Sequence, residues 1–229
     1  MDYGKVAYVG GGNMTRALAG GMLAAGYEAS HLLIAEPLAE HRHSLAEELP
    51  GAVIYEDNKE AACEAECIVL AVKPQILADV CKPLASIAQK NRPLVISIAA
   101  GVRARDIENW LGGNLPVVRV MPNQPALLRL GISGLYANEH TSEHQLRAAT
   151  NIISTTGPVV AVGSEEDIDT VTAVSGTGPA YFYLLVDMLV KVAVDLGLDY
   201  EDALALVLET ARGAGEMAEL AVEHLLRQR

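Results

Sequence analysis

The start of the fold is decided by the stretch Val6-Ala7-Tyr8-Val9-Gly10-Gly11-Gly12-Asn13-Met14, in which an apolar run leads into three glycines. A helical pattern begins at once with Thr15-Arg16-Ala17. A glycine at the end of a buried strand permits a tight turn, and a second glycine lets a phosphate approach the backbone. The free N–H groups of the following helix then face the anion. The stretch therefore predicts a dinucleotide-binding turn, with Thr15 in the place of the usual third glycine.

The composition is typical of a globular protein built from helices and a sheet. The 229 residues are 51% hydrophobic but only 4% aromatic, so aliphatic side chains must fill the interior. That bias favours a parallel sheet covered by helices. The net charge of −12 argues against nucleic acid or an anionic membrane as a partner, because both need a basic surface. We find no signal segment and expect no run as long as a membrane span, which predicts a cytoplasmic protein.

The cysteines, Cys63, Cys67 and Cys81, are odd in number, and the first two stand four residues apart without a nearby histidine. This pattern does not indicate zinc binding, and no metal site is expected. We predict buried, reduced thiols instead.

Short β-rich runs alternate with helical stretches through the first two-thirds of the chain. This alternation indicates βαβ units and an α/β fold with a doubly wound, Rossmann-type sheet. The runs predicted as strands are residues 6–9, 32–35, 53–55, 67–72, 94–99 and 117–121. Two later runs, 134–137 and 158–162, extend the sheet at one edge in an order that the sequence leaves open, with a helix over 142–154 between them.

The composition changes at Ser164-Glu165-Glu166-Asp167, after which the sequence favours helix almost to the end. We therefore predict a dinucleotide-binding domain over residues 1–164 and an all-helical domain over 165–229. A helix over 179–196 begins with Pro179 in its first turn and stops at Gly197.

This helix is apolar over most of its circumference, because its charges, Asp187, Lys191 and Asp195, fall on one stripe. Such a helix must be surrounded, and about fifty residues cannot surround it alone. The helical domain is therefore expected to complete itself against a partner subunit.

Small residues and prolines follow three of the predicted strands. The runs are Ala71-Val72-Lys73-Pro74, Ile98-Ala99-Ala100 and Met121-Pro122-Asn123. Ligands bind at the carboxyl ends of parallel strands, so together these segments predict a crevice. Asn58 precedes a helical stretch and is either its N-cap or a ligand-binding residue.

Glu36 follows the second predicted strand. An acidic residue there hydrogen-bonds the adenosine ribose hydroxyls of NAD and repels the additional phosphate of NADP. The alternative is a solvated loop carboxylate. Because His41, Arg42 and His43 follow closely and could soften that repulsion, the preference between NAD and NADP stays open.

The run Val174-Ser175-Gly176-Thr177-Gly178-Pro179-Ala180-Tyr181, together with the three strand ends, resembles pyrroline-5-carboxylate reductase, the last enzyme of proline biosynthesis. The resemblance extends over residues 6–229. It implies a Rossmann domain and a helical dimerisation domain, assembled as homodimers that associate further into a ring. The implied reaction is hydride transfer from NADH or NADPH to the imine carbon of 1-pyrroline-5-carboxylate, a small imino acid, giving L-proline.

The resemblance also implies the site residues. The implied cofactor contacts are Val9, Gly10, Gly11, Gly12, Asn13, Met14, Glu36, Asn58, Ala71, Val72, Lys73, Pro74, Ile98, Ala99 and Ala100. The implied substrate contacts are Met121, Pro122, Asn123, Ser175, Gly176, Thr177, Gly178 and Pro179. The turn from Ser175 to Pro179 either presents backbone N–H groups to the substrate or simply initiates a helix. No catalytic residue is assigned.

The chain departs from the family pattern at three places. Gln124 replaces the usual threonine after Met-Pro-Asn, and Thr177 replaces a more common serine. The sequence stops at Arg229, before the family's loop for the substrate carboxylate. We therefore expect this chain to bind the cofactor but to reduce the imine poorly.

Two other functions compete with this interpretation. One is a related Rossmann reductase of hydroxy acids, which would need a catalytic lysine or histidine such as Lys191 or His224. Lys191 shares a stripe with Asp187 and Asp195, which indicates a solvated ion-pair face instead. The other is a non-catalytic, oligomeric protein that binds nicotinamide nucleotides.

Overall fold

The computed structural model describes residues 4–227, with side-chain surroundings as far as Leu220. The chain divides into two compact units, one up to Thr177 and one from Gly178 onward. The predicted domain boundary at residue 164 precedes this division, because the helix after it packs against the sheet of the first unit.

The strands of the first unit form one sheet. They are β1 (Val6–Val9), β2 (Leu32–Ala35), β3 (Val53–Tyr55), β4 (Cys67–Leu70), β5 (Leu94–Ser97), β6 (Val117–Pro122), β7 (Ser133–Ala137) and β8 (Val159–Ala161). Their order is β3-β2-β1-β4-β5-β6-β7-β8. The pairs from β3 through β6 are parallel, β7 runs antiparallel to β6, and β8 runs parallel to β7. The predicted doubly wound sheet is confirmed, and the carboxyl ends of β1 to β6 lie along one edge.

Helices cover both faces of this sheet. They are α1 (Asn13–Ala24), α2 (Ala39–Glu48), α3 (Asn58–Ala62), α4 (Pro74–Asn91), α5 (Ala104–Trp110), α6 (Glu143–Ser154) and α7 (Asp167–Val171). One apolar cluster contains Tyr8 and Leu18, and the other contains Val9 and Leu77. Adjacent residues of β1 thus enter opposite clusters, as expected for a sheet buried on both faces.

The predicted strands agree with the structure in the first half of the sheet. The strands β1, β2 and β3 have the predicted bounds, whereas β4 and β5 end two residues earlier than predicted. Val72 and Ile98 continue the apolar runs, but they lie in the loops at the carboxyl edge. The helix predicted over 142–154 is present and begins with a capping box, in which the side chains of Ser142 and Gln145 each accept the other residue's backbone N–H.

The second unit contains α8 (Gly178–Asp195) and α9 (Tyr200–Arg227). Large apolar side chains of α8 are more than half exposed within the chain; they include Tyr181, Phe182, Leu184, Leu185, Met188 and Val192. Lys191 donates to Asp187 at 2.6 Å, and this hydrogen bond raises the pKa of its ammonium group. The expected ion-pair stripe is therefore present, and Lys191 is exposed with its partner.

One expectation about membrane-spanning length is wrong. The helical stretch Asp167–Asp195 is long and apolar enough to cross a membrane by length and composition, with a mean hydropathy of 1.3 over its most apolar window. The same composition is expected of a helix that is covered in a subunit interface.

The three cysteines differ in accessibility, which corrects the prediction that all are buried. Cys67 and Cys81 are buried, and Cys63 is exposed. Burial raises the pKa of Cys81 to about 12 and raises that of Cys67 further, so both remain protonated and unreactive at neutral pH.

We therefore expect the native protein to react rapidly with one equivalent of a thiol-specific disulfide reagent, and the denatured protein with all three thiols. The native Cys63→Ser variant should show no rapid reaction. A second rapid equivalent in the native protein would contradict the burial of Cys67 and Cys81.

Candidate functional site

The first glycine of the turn is required by the backbone. Gly10 has φ +105°, and a Cβ there would lie 2.8 Å from the Ala71 carbonyl oxygen and 3.0 Å from a Val72 methyl group. Its N–H donates to the Ala35 carbonyl at 3.0 Å. A side chain at this position would therefore meet both an unfavourable φ and the loop after β4.

The second glycine brings the turn against the residue that follows β2. The Gly11 N–H donates to Glu36 Oε2 at 3.1 Å. A Cβ on Gly11 would lie 2.5 Å from a Leu45 methyl group and 3.0 Å from the same carboxylate oxygen. A side chain at Gly11 would therefore require the Leu45 and Glu36 side chains to shift.

The third glycine, by contrast, faces open space. Gly12 is the N-cap of α1, and no heavy atom lies within 4 Å of the position that its Cβ would take. The helix has no side-chain cap and no acidic residue in its first turn. Its first N–H groups and its positive dipole end are therefore directed to an open surface, where a pyrophosphate fits.

Thr15 gives the turn a support that the sequence alone did not reveal. It is fully buried, and its hydroxyl donates to the Gly10 carbonyl at 2.6 Å. Thr15, which stands where the usual dinucleotide-binding motif has its third glycine, thus fixes the turn with its own side chain. The signal in the sequence is a small hydroxyl-bearing residue five positions after the first glycine.

The parallel register brings the predicted segments to one edge. Val9 pairs with Ala35 on one side and with Leu70 on the other. Gly10, Glu36, Ala71 and Ile98 each follow the last residue of a strand, and each donates its N–H to a neighbouring strand, at 2.9–3.2 Å. The glycine turn and the loops 71–74 and 98–100 are therefore next to one another, as predicted.

Glu36 is 7% exposed and is engaged by backbone donors on both oxygens. Oε2 accepts from Gly11, and Oε1 accepts the Leu38 N–H at 3.0 Å. His41 Nδ1 lies 3.7 Å from Oε1. The carboxylate is thus part of the turn, so the alternative of a freely solvated loop residue is wrong.

Two of the three basic residues after Glu36, Arg42 and His43, interact with groups other than the Glu36 carboxylate. Arg42 donates to the carbonyls of Glu36 and Pro37 at 3.0 and 2.7 Å and to the Glu56 carboxylate at 3.0 Å. His43 lies 3.4 Å from Glu47 on an exposed surface. Only His41 is close to the Glu36 carboxylate among the three.

The helix after β3 is capped by a different residue from the one that we considered. The Asp57 carboxylate accepts the N–H groups of Lys59 and Glu60, so the N-cap interpretation of Asn58 is wrong. Asp57 followed by Glu60 is a capping signature that the sequence offered. The Asn58 amide makes no hydrogen bond within the described residues, which leaves it available to a ligand.

Met121 lies in β6, which ends at Pro122, and Asn123 is the first residue of the loop that follows. Asn123 is 9% exposed, and its side-chain oxygen accepts the Ile132 N–H at 3.0 Å, which closes the loop between β6 and β7. Met121 is half-buried, and a Cβ on Gly176 would lie 2.5 Å from its methyl group.

The turn that carries Ser175 and Thr177 directly precedes α8, which begins at Gly178 with Pro179 in its first turn, as the helix-initiating interpretation expects. Residues Thr172–Gly176 form a π-helical turn that directly continues α7. The hydroxyls of Ser175 and Thr177 donate to the carbonyls of Val171 and Thr172. The Thr177 N–H also donates to Thr172, at 2.8 Å. Pi-helical turns are frequent at functional sites.

The sequence analysis did not predict the buried ion pair between Arg119 and Glu165. Arg119 in β6 is 2% exposed and pairs with Glu165. A lone cation in an apolar strand was the available signal, because a buried charge requires a partner.

Two family models match the chain. Residues 5–101 match a family described as NADP oxidoreductase, coenzyme F420-dependent. Residues 165–229 match the family described as pyrroline-5-carboxylate reductase dimerisation.

Named relatives agree with the second match. The pyrroline-5-carboxylate reductase of Pseudomonas aeruginosa is 45% identical, with 95% of this chain and 79% of the relative covered. That of Vibrio alginolyticus is 42% identical over the same shares.

Solved structures agree as well. The pyrroline-5-carboxylate reductase of Coxiella burnetii superposes with a TM-score of 0.89 at 37% identity, covering 95% of this chain and 80% of the other. The pyrroline carboxylate reductase of Plasmodium falciparum, with NADP bound, gives 0.84 at 30% identity and covers 96% and 80%. A prephenate dehydrogenase of A. aeolicus, at 17% identity, shares the fold alone.

Proposed function

Because this chain belongs to the pyrroline-5-carboxylate reductase family, we propose that it reduces the imine of 1-pyrroline-5-carboxylate to L-proline. The observation that carries this proposal is the open, uncapped N-terminus of α1 at Gly12, at the sheet edge that also holds Ala71, Ile98 and Met121. That edge offers an anion-binding turn beside a small-residue crevice, which is what a dinucleotide cofactor requires.

The cofactor, when bound, supplies the hydride. The glycine turn binds its pyrophosphate through the first N–H groups of α1, and Asn13 and Met14 lie in that first turn. Asn58 and the loops 71–74 and 98–100 line the rest of the cofactor site. Met121 and the turn 175–177 face the substrate.

The reaction needs little further chemistry from the protein. A protonated cyclic imine is already a good hydride acceptor, so the residues mainly hold the two reactants at reacting distance and exclude water.

The test is the oxidation of NADH and NADPH by the purified protein in the presence of 1-pyrroline-5-carboxylate. We expect proline as the product, identified by mass, together with restored growth of a proline-requiring reductase mutant. Saturable cofactor binding without turnover on the imine would support the non-catalytic alternative instead. Reduction of oxidised NAD or NADP by hydroxy acids, without turnover on the imine, would support the other reductase, although Lys191 is paired with Asp187.

We further propose that Glu36 contacts the adenosine ribose hydroxyls and thereby disfavours NADPH. Its oxygens are already held by Gly11 and Leu38, so the carboxylate cannot turn away from a phosphate placed beside it. Arg42 is engaged by two carbonyls and Glu56, so among the basic residues that follow Glu36, His41, 3.7 Å from Oε1, is the one left to offset the repulsion.

The Glu36→Ser variant should therefore lower the ratio of the NADPH dissociation constant to the NADH dissociation constant by about tenfold, which corresponds to the removal of about 1.4 kcal/mol of like-charge repulsion. Titration of each nucleotide by fluorescence measures both constants. Glu40→Ser makes the same charge change on an exposed residue of α2 and should leave the ratio unchanged. If the wild type, Glu36→Ser and Glu40→Ser had equal ratios of the two dissociation constants, Glu36 would not disfavour NADPH.

We propose a homodimer formed through the second unit, because α8 has a large exposed apolar surface and the matched dimerisation family includes it. The ring of dimers that the resemblance implies, and the cytoplasmic location, remain predictions. Sedimentation of the purified protein tests the oligomer size.

A further inference from the structure

Two segments beside the candidate site are joined through one carboxylate oxygen. Glu165 Oε1 accepts the Ala104 N–H at 2.6 Å and Arg119 Nη1 at 2.9 Å. The Glu165 side chain is 17% exposed, and that of Arg119 is 2% exposed. Charge-assisted hydrogen bonds in such surroundings are short and strongly directional. This oxygen therefore fixes both donors relative to the turn that carries Glu165.

Each of these groups belongs to a segment that reaches the site. Ala104 is the first residue of α5 and follows the loop that begins with 98–100. Arg119 lies two residues before Met121 in β6. Glu165 stands just before α7, which continues into the π-helical turn that contains Ser175.

The packing around α7 allows little displacement. A Cβ on Gly134 of β7 would lie 2.6 Å from a Val171 methyl group, and one on Gly176 would lie 2.5 Å from the Met121 methyl group. Arg103 adds exposed contacts to Glu166 at 3.2 Å and to Asp169 at 3.5 Å. The helical segment is thus seated on β6 and β7, and the Glu165 oxygen connects it to the loop after β5.

We propose that Arg119 and Glu165 are positioning residues for imine reduction. They hold the cofactor loop 98–100 at a fixed place relative to the π-helical turn 172–176, although neither side chain contacts the reacting atoms. This inference rests on the proposed function. It concerns the substrate step and leaves the glycine turn untouched.

The test compares Glu165→Ala, which removes the shared oxygen, with Glu165→Gln, whose amide oxygen can accept from both donors. Glu165→Ala should lower kcat by about 10- to 100-fold, because a small misplacement of reacting groups is costly. Its dissociation constant for NADPH should stay within about twofold of wild type, and Glu165→Gln should keep kcat within about threefold.

A second measurement does not depend on activity. Trp110 is the single tryptophan, and it ends the helix whose first N–H is bound to Glu165. In cofactor-free protein its emission should shift to longer wavelength in Glu165→Ala and stay unchanged in Glu165→Gln. Unchanged kcat in Glu165→Ala, or a loss of NADPH affinity as large as the loss of kcat, would overturn the proposal.

A double variant separates positioning from stability. Replacing a buried ion pair by apolar residues is often neutral or stabilising, so R119M/E165M should have a Tm near that of wild type. We expect its kcat to remain as low as that of Glu165→Ala. If R119M/E165M had both the kcat and the Tm of the wild type, the Arg119–Glu165 pair would contribute to stability alone and not to positioning. Absence of imine turnover in the wild type refutes the proposed function, whereas the Trp110 comparison still tests the link itself.

Discussion

Gly12→Asp should raise the stability of the protein and at the same time abolish cofactor binding. The position has φ −72°, which any residue adopts, and open space for a side chain. An aspartate there would cap α1 and complement its dipole, which stabilises the fold by about 0.5–1 kcal/mol. The same carboxylate would occupy the pyrophosphate site, so the dissociation constant for NADPH should rise by about 100-fold or more.

The control is Gly12→Asn, which has nearly the same shape and no charge. It should retain much of the stability gain and should bind NADPH at least about tenfold more tightly than Gly12→Asp. Thermal unfolding and nucleotide titration measure the two effects. Equal affinities of the two variants would mean that bulk, and not charge, excludes the nucleotide.

The second large effect is expected at Gly10, where Gly10→Ala should destabilise the fold by about 2–6 kcal/mol. The left-handed backbone costs about 1–3 kcal/mol for a residue with a side chain. The approach of the new Cβ to the Ala71 carbonyl adds about 1–3 kcal/mol of overpacking. Denaturant unfolding measures the sum.

A matched control isolates the steric part. Gly26 has φ +86° and nothing within 4 Å of its Cβ position, so Gly26→Ala should cost only about 1–2 kcal/mol. If the two variants lose equal stability, the turn does not depend on its contact with the loop after β4.

The sequence predicted the parts of the fold that depend on local patterns. Strands β1 to β3 are short, apolar runs bounded by turn residues, and such runs can be recognised from composition alone. The ends of β4 and β5 were overestimated because Val72 and Ile98 are apolar residues of the crevice. The positions of β7 and β8 in the sheet follow from long-range pairing, which no local pattern specifies.

In the candidate site, too, some features follow from local sequence patterns and others from long-range contacts. The glycine turn and Glu36 lie together because the topology of a parallel sheet brings strand ends to one edge. The cap of α3 is Asp57 and not Asn58. Because both are good N-cap residues and are adjacent, the sequence pattern alone did not separate them. The pairing of Arg119 with Glu165 joins residues that are far apart in the chain, and so does the close approach of Gly176 in the π-helical turn to Met121.

The exposed apolar surface of α8 also affects the amount of protein that a cell maintains. In the proposed homodimer the side chains of this surface are covered, whereas a newly synthesised subunit exposes Phe182 and Leu185. The rate of pairing depends on the square of the concentration of unpaired subunits, whereas the rate of their capture by proteases and chaperones is proportional to that concentration. At low expression most subunits are removed before they pair, so abundance should rise more steeply than the rate of synthesis.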